Sequence, residues 1–187
     1  MRKLAIGLVM VGLVGTVAAT SAQAQAGATS RANFGFGGGV TFPVGDFHTG
    51  FKTGWNAQAM FGFVLPSLPI ELRVDGQYNQ NSIKPGLGTG KAKTFGALGN
   101  AVYHFGAPAM PFRPYVIGGL GFYNVKFSGS AGSASETKFA LGGGLGANFG
   151  VGTLHAFAEA RYISAFTSGS HTNFIPITVG LRFGGGL

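Results

Sequence analysis

The segment IELRVDGQYN, Ile70–Asn79, poses a choice between two folds. Apolar and polar side chains alternate along it, which is the period of a β-strand with two unlike faces. Its polar face carries Glu71, Arg73 and Asp75, although the whole chain holds only five acidic residues. In a water-soluble sheet this face would meet solvent, whereas in a membrane barrel it would line the interior. The rest of the sequence favours the membrane barrel.

The start of the chain, residues 1–26, is typical of a secretory signal peptide. A positively charged beginning precedes the apolar run LAIGLVMVGLVGTVAA, and SAQAQA then supplies small residues at the cleavage positions. We expect cleavage after Ala24 or Ala26, which leaves residues 27–187 as one domain. After the signal, no stretch reaches the roughly 18 to 20 apolar residues of a membrane-spanning helix.

Alternation continues through the remaining chain and predicts eight strands. We place them at Asn33–Phe42, Phe51–Phe63, Ile70–Asn79, Thr94–Phe105, Pro114–Phe127, Thr137–Phe149, Leu154–Ser164 and Phe174–Phe183. Such lengths exceed the usual 5 or 6 residues of soluble strands and match the roughly 9 to 11 that cross a bilayer when tilted. An even strand count with alternating short and long connections predicts an all-β fold, an eight-stranded antiparallel up-and-down transmembrane β-barrel. The fifth strand is apolar on both faces, so its orientation stays open.

Segments rich in Gly, Pro and Ser separate these strands. Four of them are predicted as loops: PVGDFHTG, NSIKPGLGTGKAK, SGSAGSAS and FTSGSHTN. Pro176 falls inside the eighth strand, where it removes one backbone donor from the ladder. We place it near the outer rim, in a bulge that would tolerate the loss.

Six charged residues fall on predicted inward positions, three carboxylates and three guanidinium groups. They are Glu71, Arg73, Asp75, Glu159, Arg161 and Arg182. An unpaired buried charge is costly, so we expect these groups to pair across a narrow interior that side chains fill. Inward glycines would relieve crowding in that space. These are Gly35, Gly37, Gly39, Gly142, Gly144 and Gly146.

Lysines concentrate at one predicted end of the barrel, opposite the chain termini. Without Arg2 and Lys3, eleven basic residues remain against five acidic ones. Six lysines form a predicted basic outer rim, with three of them in one loop (Lys84, Lys91 and Lys93): Lys52, Lys84, Lys91, Lys93, Lys126 and Lys138. Such a ring suits an anionic surface or partner, although lysines also serve simply to keep loops soluble.

Two segments, PYVIGGLGFY (Pro114–Tyr123) and PITVGLRF (Pro176–Phe183), carry a family resemblance. The chain resembles the small bacterial outer-membrane barrels that include the OmpA transmembrane domain, OmpX, Ail and the opacity proteins. The resemblance implies location in the outer membrane of a Gram-negative cell. It also implies that the barrel-assembly machinery reads the closing segment through Gly180, Leu181 and Phe183.

Catalysis has weak support in the sequence. Lipid A deacylases, which are also eight-stranded barrels, carry a serine and a histidine that point the same way. Here Ser170 directly precedes His171, and neighbours on an extended strand point to opposite faces. Asp46, His48 and His171 lack the spacing of a metal site, and the chain has no cysteine. We therefore expect neither a metal nor another cofactor.

These observations predict a monomeric, non-enzymatic barrel with a structural or surface-interaction role. Its expected partners are outer-membrane lipid, with lipopolysaccharide phosphates at the rim, and not nucleic acid. A narrow channel for small solutes is the first alternative, and a lipid-modifying enzyme is the second.

Overall fold

A computed structural model describes residues 31–65, 68–86, 90–107, 110–129, 132–151, 154–167 and 170–185. The predicted signal peptide and both cleavage positions lie outside these residues. The elements in chain order are β1 Ala32–Val44, α1 Asp46–Gly50, β2 Gly54–Val64, β3 Ile70–Ser82, β4 Gly90–His104, β5 Phe112–Gly129, β6 Gly132–Val151, β7 Leu154–Thr167 and β8 Ser170–Gly184. In this part of the chain, no helix combines the length and apolarity needed to cross a bilayer.

Each strand pairs with its neighbours in sequence, and the first strand closes on the last. In the closing pair, Phe34 lies opposite Phe183 and Val40 lies opposite Ile177. The predicted closed eight-stranded antiparallel barrel is therefore confirmed. Closure leaves no strand with an unpaired edge, which is the condition for a sheet to persist in hydrocarbon.

The two faces of the barrel wall differ as the alternation of IELRVDGQYN requires. Along β3 the inward Arg73 and Asn79 are each 1% exposed, whereas the outward Val74 is 57% exposed. The same contrast recurs around the wall, where Phe36 and Leu145 project outward at 55% and 66% exposure. Polar side chains inside and apolar side chains outside make the barrel inverted relative to a water-soluble one.

Strand β5, whose orientation the sequence leaves open, turns its odd-numbered residues inward. Tyr115 and Tyr123 are each 1% exposed, whereas Leu120 and Phe122 project outward at 56% and 60%. The two tyrosines explain why the pattern was ambiguous. They are apolar in bulk, yet each has a hydroxyl group that makes a hydrogen bond inside the barrel.

Two of the four predicted loops are largely strand and a third, NSIKPGLGTGKAK, is strand at both ends, so those predictions were wrong in extent. Backbone pairing of β5 with β6 continues to Gly129 opposite Gly132, through most of SGSAGSAS. Strand β4 begins at Gly90 and β8 at Ser170, inside the other two segments. Ladder hydrogen bonds need only backbone groups, so a composition of Gly and Ser indicates exposure without ending a strand.

The fourth predicted loop, PVGDFHTG, contains the helix α1. Phe47 of this helix is 6% exposed and packs inside the barrel. Phe51 was predicted to begin the second strand on the outward face, but β2 begins at Gly54. Phe51 instead forms an isolated bridge with Ile83 and packs against the interior cluster. We call the end of the barrel that carries α1 the outer end, and the end that carries Ala32 and Gly184 the periplasmic end.

Pro176 does not lie in a bulge near the rim, as the sequence suggested. It is buried within β8, opposite Thr41 of β1, and the pairing with β1 is continuous on both sides. The β7–β8 ladder has a gap at this point, between Ala160 opposite Ile177 and Ile163 opposite Phe174, with an unchanged register. Losing one donor interrupts a ladder locally without requiring an extra residue.

Candidate functional site

The larger of two charge networks in the lumen joins β3 to β7 across the barrel. Arg73 contacts Asp75 at 2.8 Å and Glu159 at 2.5 Å. Arg161 contacts the same two carboxylates, Asp75 at 2.5 Å and Glu159 at 3.7 Å. All four side chains are at most 2% exposed. Because β3 and β7 are not neighbours in the sheet, the Arg73–Glu159 and Arg161–Asp75 pairs bridge the interior and link opposite sides of the wall.

The smaller network lies nearer the periplasmic end and centres on Glu71. Its two oxygens contact Arg182 at 2.7 Å and His104 Nε2 at 2.8 Å. Arg182 also donates hydrogen bonds to Asn148 Oδ1 at 3.0 Å and Asn33 Oδ1 at 2.7 Å. Five strands contribute one side chain each, so this network ties the wall together near its base.

Neutral polar side chains extend the larger network in both directions, Tyr115 towards the smaller network and Tyr123 with two glutamines towards the outer end. Tyr115 donates to Glu159 at 2.8 Å, and Tyr123 donates to Gln77 at 2.9 Å. Gln77 donates to Gln58 at 3.3 Å, and Gln58 donates to Glu159 at 3.5 Å. Low-dielectric surroundings strengthen such linked hydrogen bonds and raise the cost of breaking them.

The structure places all six predicted lumen charges inside the barrel. Each of the three carboxylates contacts at least one arginine. Removing one member of a buried pair leaves an uncompensated charge, which typically costs about 3 to 5 kcal/mol. The networks thus hold the fold together and also occupy the interior, so a pore through this level would need their rearrangement.

An apolar cluster occupies part of the outer half of the lumen, beside buried polar residues such as Thr41, Asn56 and Asn79, and the sequence did not predict it. Its buried members come from α1 and five strands: Phe47, Ala92, Leu98, Tyr123, Ala140, Ile163, Ala165 and Phe174. Several of these apolar residues face inward on strands that also carry inward polar residues, for example Ile163 beside Arg161 on β7. Phe47 covers the cluster from α1, because the chain after β1 turns back over the mouth of the barrel.

Aromatic rings and glycines on adjacent strands fit together inside the barrel. Three such cross-strand pairs occur: Tyr115 with Gly146, Tyr123 with Gly96, and Phe157 with Gly180. A Cβ atom added at any of the three glycines would overlap the partner ring. The glycines therefore make room for large inward rings, which agrees with the crowding expected from the sequence.

The six rim lysines all lie at the outer end, but they do not form one ring. Lys138 points into the barrel, where its side chain is 6% exposed and pairs with Glu136 at 2.8 Å. Lys52 and Lys84 lie in the connections after α1 and β3. Lys91 and Lys93 belong to β4, and not to one loop with Lys84 as predicted, because β4 begins earlier than the sequence suggests.

Three lysines form a patch on the outward face of the wall: Lys91, Lys93 and Lys126. We call this the lateral patch. Lys93 of β4 lies directly opposite Lys126 of β5, and the row continues to Gln80 on one side and Ser135 on the other. Like charges directly opposite one another destabilise a sheet unless a counter-charge lies between them. None of the four residues in this row, Gln80, Lys93, Lys126 and Ser135, has a carboxylate.

The barrel, its charged lumen and its apolar wall have a counterpart among protein families. The family model of the outer membrane protein beta-barrel domain matches residues 12–183. The chain belongs to this family. Among curated proteins, none matches the sequence.

Solved structures share the barrel fold at low sequence identity. Neisserial surface protein A has a TM-score of 0.63 and 17% identity, with 83% of this chain and 97% of that chain covered. Ail of Yersinia pestis has a TM-score of 0.50 and 17% identity, with 83% and 100% covered. The outer membrane enzyme PagL has a TM-score of 0.50 and 14% identity, with 82% and 99% covered. Such identities establish a shared fold and leave activity open.

As a member of the outer membrane beta-barrel family, the protein resides in the bacterial outer membrane. The apolar outer wall then faces lipid. Trp55 and Tyr78 pack together on this wall near the outer end, with ring centroids 5.2 Å apart. Tryptophan and tyrosine favour the boundary between headgroups and acyl chains. Trp55 lies opposite Gln80, so the row that contains Lys93 and Lys126 starts at an interfacial residue.

The closing segment of this family member packs against β1. Phe183 stacks on Phe34 and Phe36, with centroid distances of 5.4 and 5.8 Å. Gly180 faces inward against Phe157, whereas Leu181 lies opposite Phe36 on the outer wall. These contacts describe the closed barrel. Recognition of the segment during assembly stays a prediction.

The remaining histidines occupy different surroundings. His155 lies opposite Arg182 on the inward face, and His171 meets the edge of Phe166 with ring centroids 5.4 Å apart. Among the residues the structure describes, no group of three or more His, Asp or Glu side chains is arranged to hold a metal ion. The side chain of Ser170 lies outside the described part of the molecule.

Proposed function

We propose that the protein is a non-enzymatic outer-membrane barrel that does not conduct and that binds phosphate groups of lipopolysaccharide through its lateral patch. The lysine pair carries the proposal. Lys93 and Lys126 face each other on the lipid-facing wall with Lys91 beside them, and a phosphate between them would relieve their repulsion. Lipid A offers such phosphates at the level of the outer headgroups.

The filled lumen supports the absence of conduction. Ion pairs cross the interior at one level, and an apolar cluster with Phe47 covers the level above it. An eight-stranded barrel leaves space for little more than its own side chains. The barrel would then serve as a rigid support that holds the lysines at the membrane surface.

Neutralising the lateral patch is expected to weaken binding of lipid A at least about 10-fold. Each lysine beside an anionic lipid surface contributes roughly 1 kcal/mol, and a factor of 10 corresponds to about 1.4 kcal/mol. The variant carries K91Q, K93Q and K126Q. Binding is measured by titrating fluorescent lipid A into the purified barrel in a nonionic detergent.

The matched control carries R31Q, which removes an exposed basic residue at the periplasmic end, away from the patch. Both variants are first checked for the mobility shift between unheated and boiled samples in SDS, which reports a folded barrel. The control should retain most of the affinity. If both variants lost the same amount of lipid A affinity, the overall positive charge of the protein would explain the binding. That result would refute the lateral patch as a site.

A further inference from the structure

A second basic site lies over the outer rim, apart from the lateral patch. A cavity of about 460 Å³ opens there between the connection after α1 and the connection after β3. Its lining combines basic and polar side chains with apolar ones: His48, Lys52, Thr53 and Lys84 with Phe42, Pro43 and Phe51. Two lysines and three apolar residues thus line the same small space.

Backbone contacts hold the two connections in place. The Lys52 amide donates to Ser82 at 2.9 Å, and the Lys84 amide donates to Gly50 at 3.0 Å. Between these bonds, Phe51 forms its bridge with Ile83. Hydrogen bonds therefore fix the backbone at both lysines. The positions of their Cα atoms do not depend on a ligand.

The apolar side of the cavity is anchored in the interior of the barrel. The ring of Phe51 packs on Phe47 at 4.7 Å and on Phe127 at 5.7 Å between centroids. Phe47 is itself 6% exposed within the apolar cluster of the lumen. Phe51 is thereby held as a fixed surface at the edge of the cavity.

The cavity also reaches the lipid-facing wall. Phe42 projects outward from β1 and is 37% exposed. Because Phe42 lines the cavity, its apolar side continues onto the outer wall of the barrel. The lining contains no carboxylate that would neutralise Lys52 and Lys84. An occupant can therefore bring an anionic group to the lysines while its apolar part follows the wall.

We infer that this cavity binds a phosphate-bearing amphiphile. The phosphate would lie beside Lys52 and Lys84, and the apolar body would pack along Phe42 and Phe51. Lipid of the outer leaflet and a soluble phosphate ester with an apolar body share this chemistry. The inference goes beyond the proposed function and uses none of the lateral-patch lysines, so either site can fail without the other.

Short-chain lipids in nonionic detergent test the site, with bound ligand counted by native mass spectrometry of the purified barrel. Dihexanoyl phosphatidic acid is the lipid probe, and phenyl phosphate is the soluble one. Dihexanoyl phosphatidylcholine and inorganic phosphate are the comparison ligands. We expect the tightest copy of phosphatidic acid to bind at least about 10-fold more tightly than either comparison ligand, because phosphatidylcholine has no net charge and inorganic phosphate has no apolar body.

The variants separate this cavity from the lateral patch. K52Q with K84Q should weaken the tightest phosphatidic acid binding at least about 10-fold, whereas K91Q with K93Q and K126Q should remove only a copy held at the lateral patch and leave the tightest copy in place. F42S should weaken phosphatidic acid more than inorganic phosphate. Tight binding of phenyl phosphate that depends on Lys52 and Lys84 would also support the site and assign it a soluble ligand.

Three results would overturn the inference. They are equal binding of phosphatidylcholine, equal binding of inorganic phosphate, and an unchanged affinity in the K52Q and K84Q variant. Each variant must first show the SDS mobility shift of a folded barrel. Because these lysines lie in exposed or half-exposed connections, their replacement by glutamine should leave the fold intact.

Discussion

Replacing Arg73 with methionine is expected to lower the free energy of unfolding by about 3 to 5 kcal/mol. Arg73 contacts both Asp75 and Glu159 and is 1% exposed. Methionine fills part of the space and leaves two carboxylates to share Arg161. Urea titration of the barrel in lipid vesicles, followed by the fluorescence of Trp55, measures the loss.

Two further variants show whether the loss comes from unpaired charge. R31M removes an exposed arginine and should change stability by less than about 0.5 kcal/mol. Adding E159Q to R73M removes one uncompensated carboxylate and should restore part of the lost stability. If R73M proved as mild as R31M, the lumen network would not hold the barrel together.

Replacing Gly146 with valine is expected to cost about 1 to 3 kcal/mol or more, because over-packing a dense interior forces rings out of their places. A Cβ atom at this position would meet the Tyr115 ring directly. Tyr115 also donates to Glu159, so displacing the ring disturbs the charge network as well. The same urea titration gives the change in stability.

Gly76 provides the matched control, since a Cβ atom there would have no heavy atom within 4 Å. G76V should be nearly neutral. Adding Y115A to G146V should cost less than the sum of the two single changes, because the small residue removes the clash that the valine creates. A G146V variant as stable as G76V would show that the ring and the glycine do not constrain each other.

Much of the fold could be predicted from residue alternation. A period of two residues assigns each side chain to one face, so Glu71, Arg73 and Asp75 could be placed inside before their partners were known. The strand count and the closed topology followed from the same pattern. The pairing within the lumen did not, because it depends on strands such as β3 and β7 that meet only across the closed barrel.

Other features of the fold cannot be predicted from the two-residue alternation of apolar and polar side chains. Part of the outer half of the lumen is apolar, where Leu98 and Ile163 face inward, although polar residues such as Asn79 take inward positions at the same end. Strand β5 was ambiguous because tyrosine suits both lipid and a hydrogen-bonded interior. The helix α1 has five residues, too few to show a helical period, and its anchor Phe47 resembles any aromatic residue of a loop.

The lysines illustrate a third limit. Their location at the outer end could be predicted from strand direction alone. Lys138 nevertheless turns into the barrel, and Lys93 opposes Lys126, because cross-strand register determines which side chains meet. A shift of one residue would change every such pair. Register emerges only from the closed sheet, so the lateral patch was not visible in the sequence.

Single-channel recording in planar lipid bilayers tests the sealed lumen most directly. The purified barrel should insert without producing discrete current steps above background, because ion pairs and the Phe47 cluster occupy the interior at two levels. Insertion is verified independently by the SDS mobility shift of protein recovered from vesicles. Reproducible current steps whose size changes in the R73M variant would contradict the sealed lumen and would identify the protein as a narrow channel.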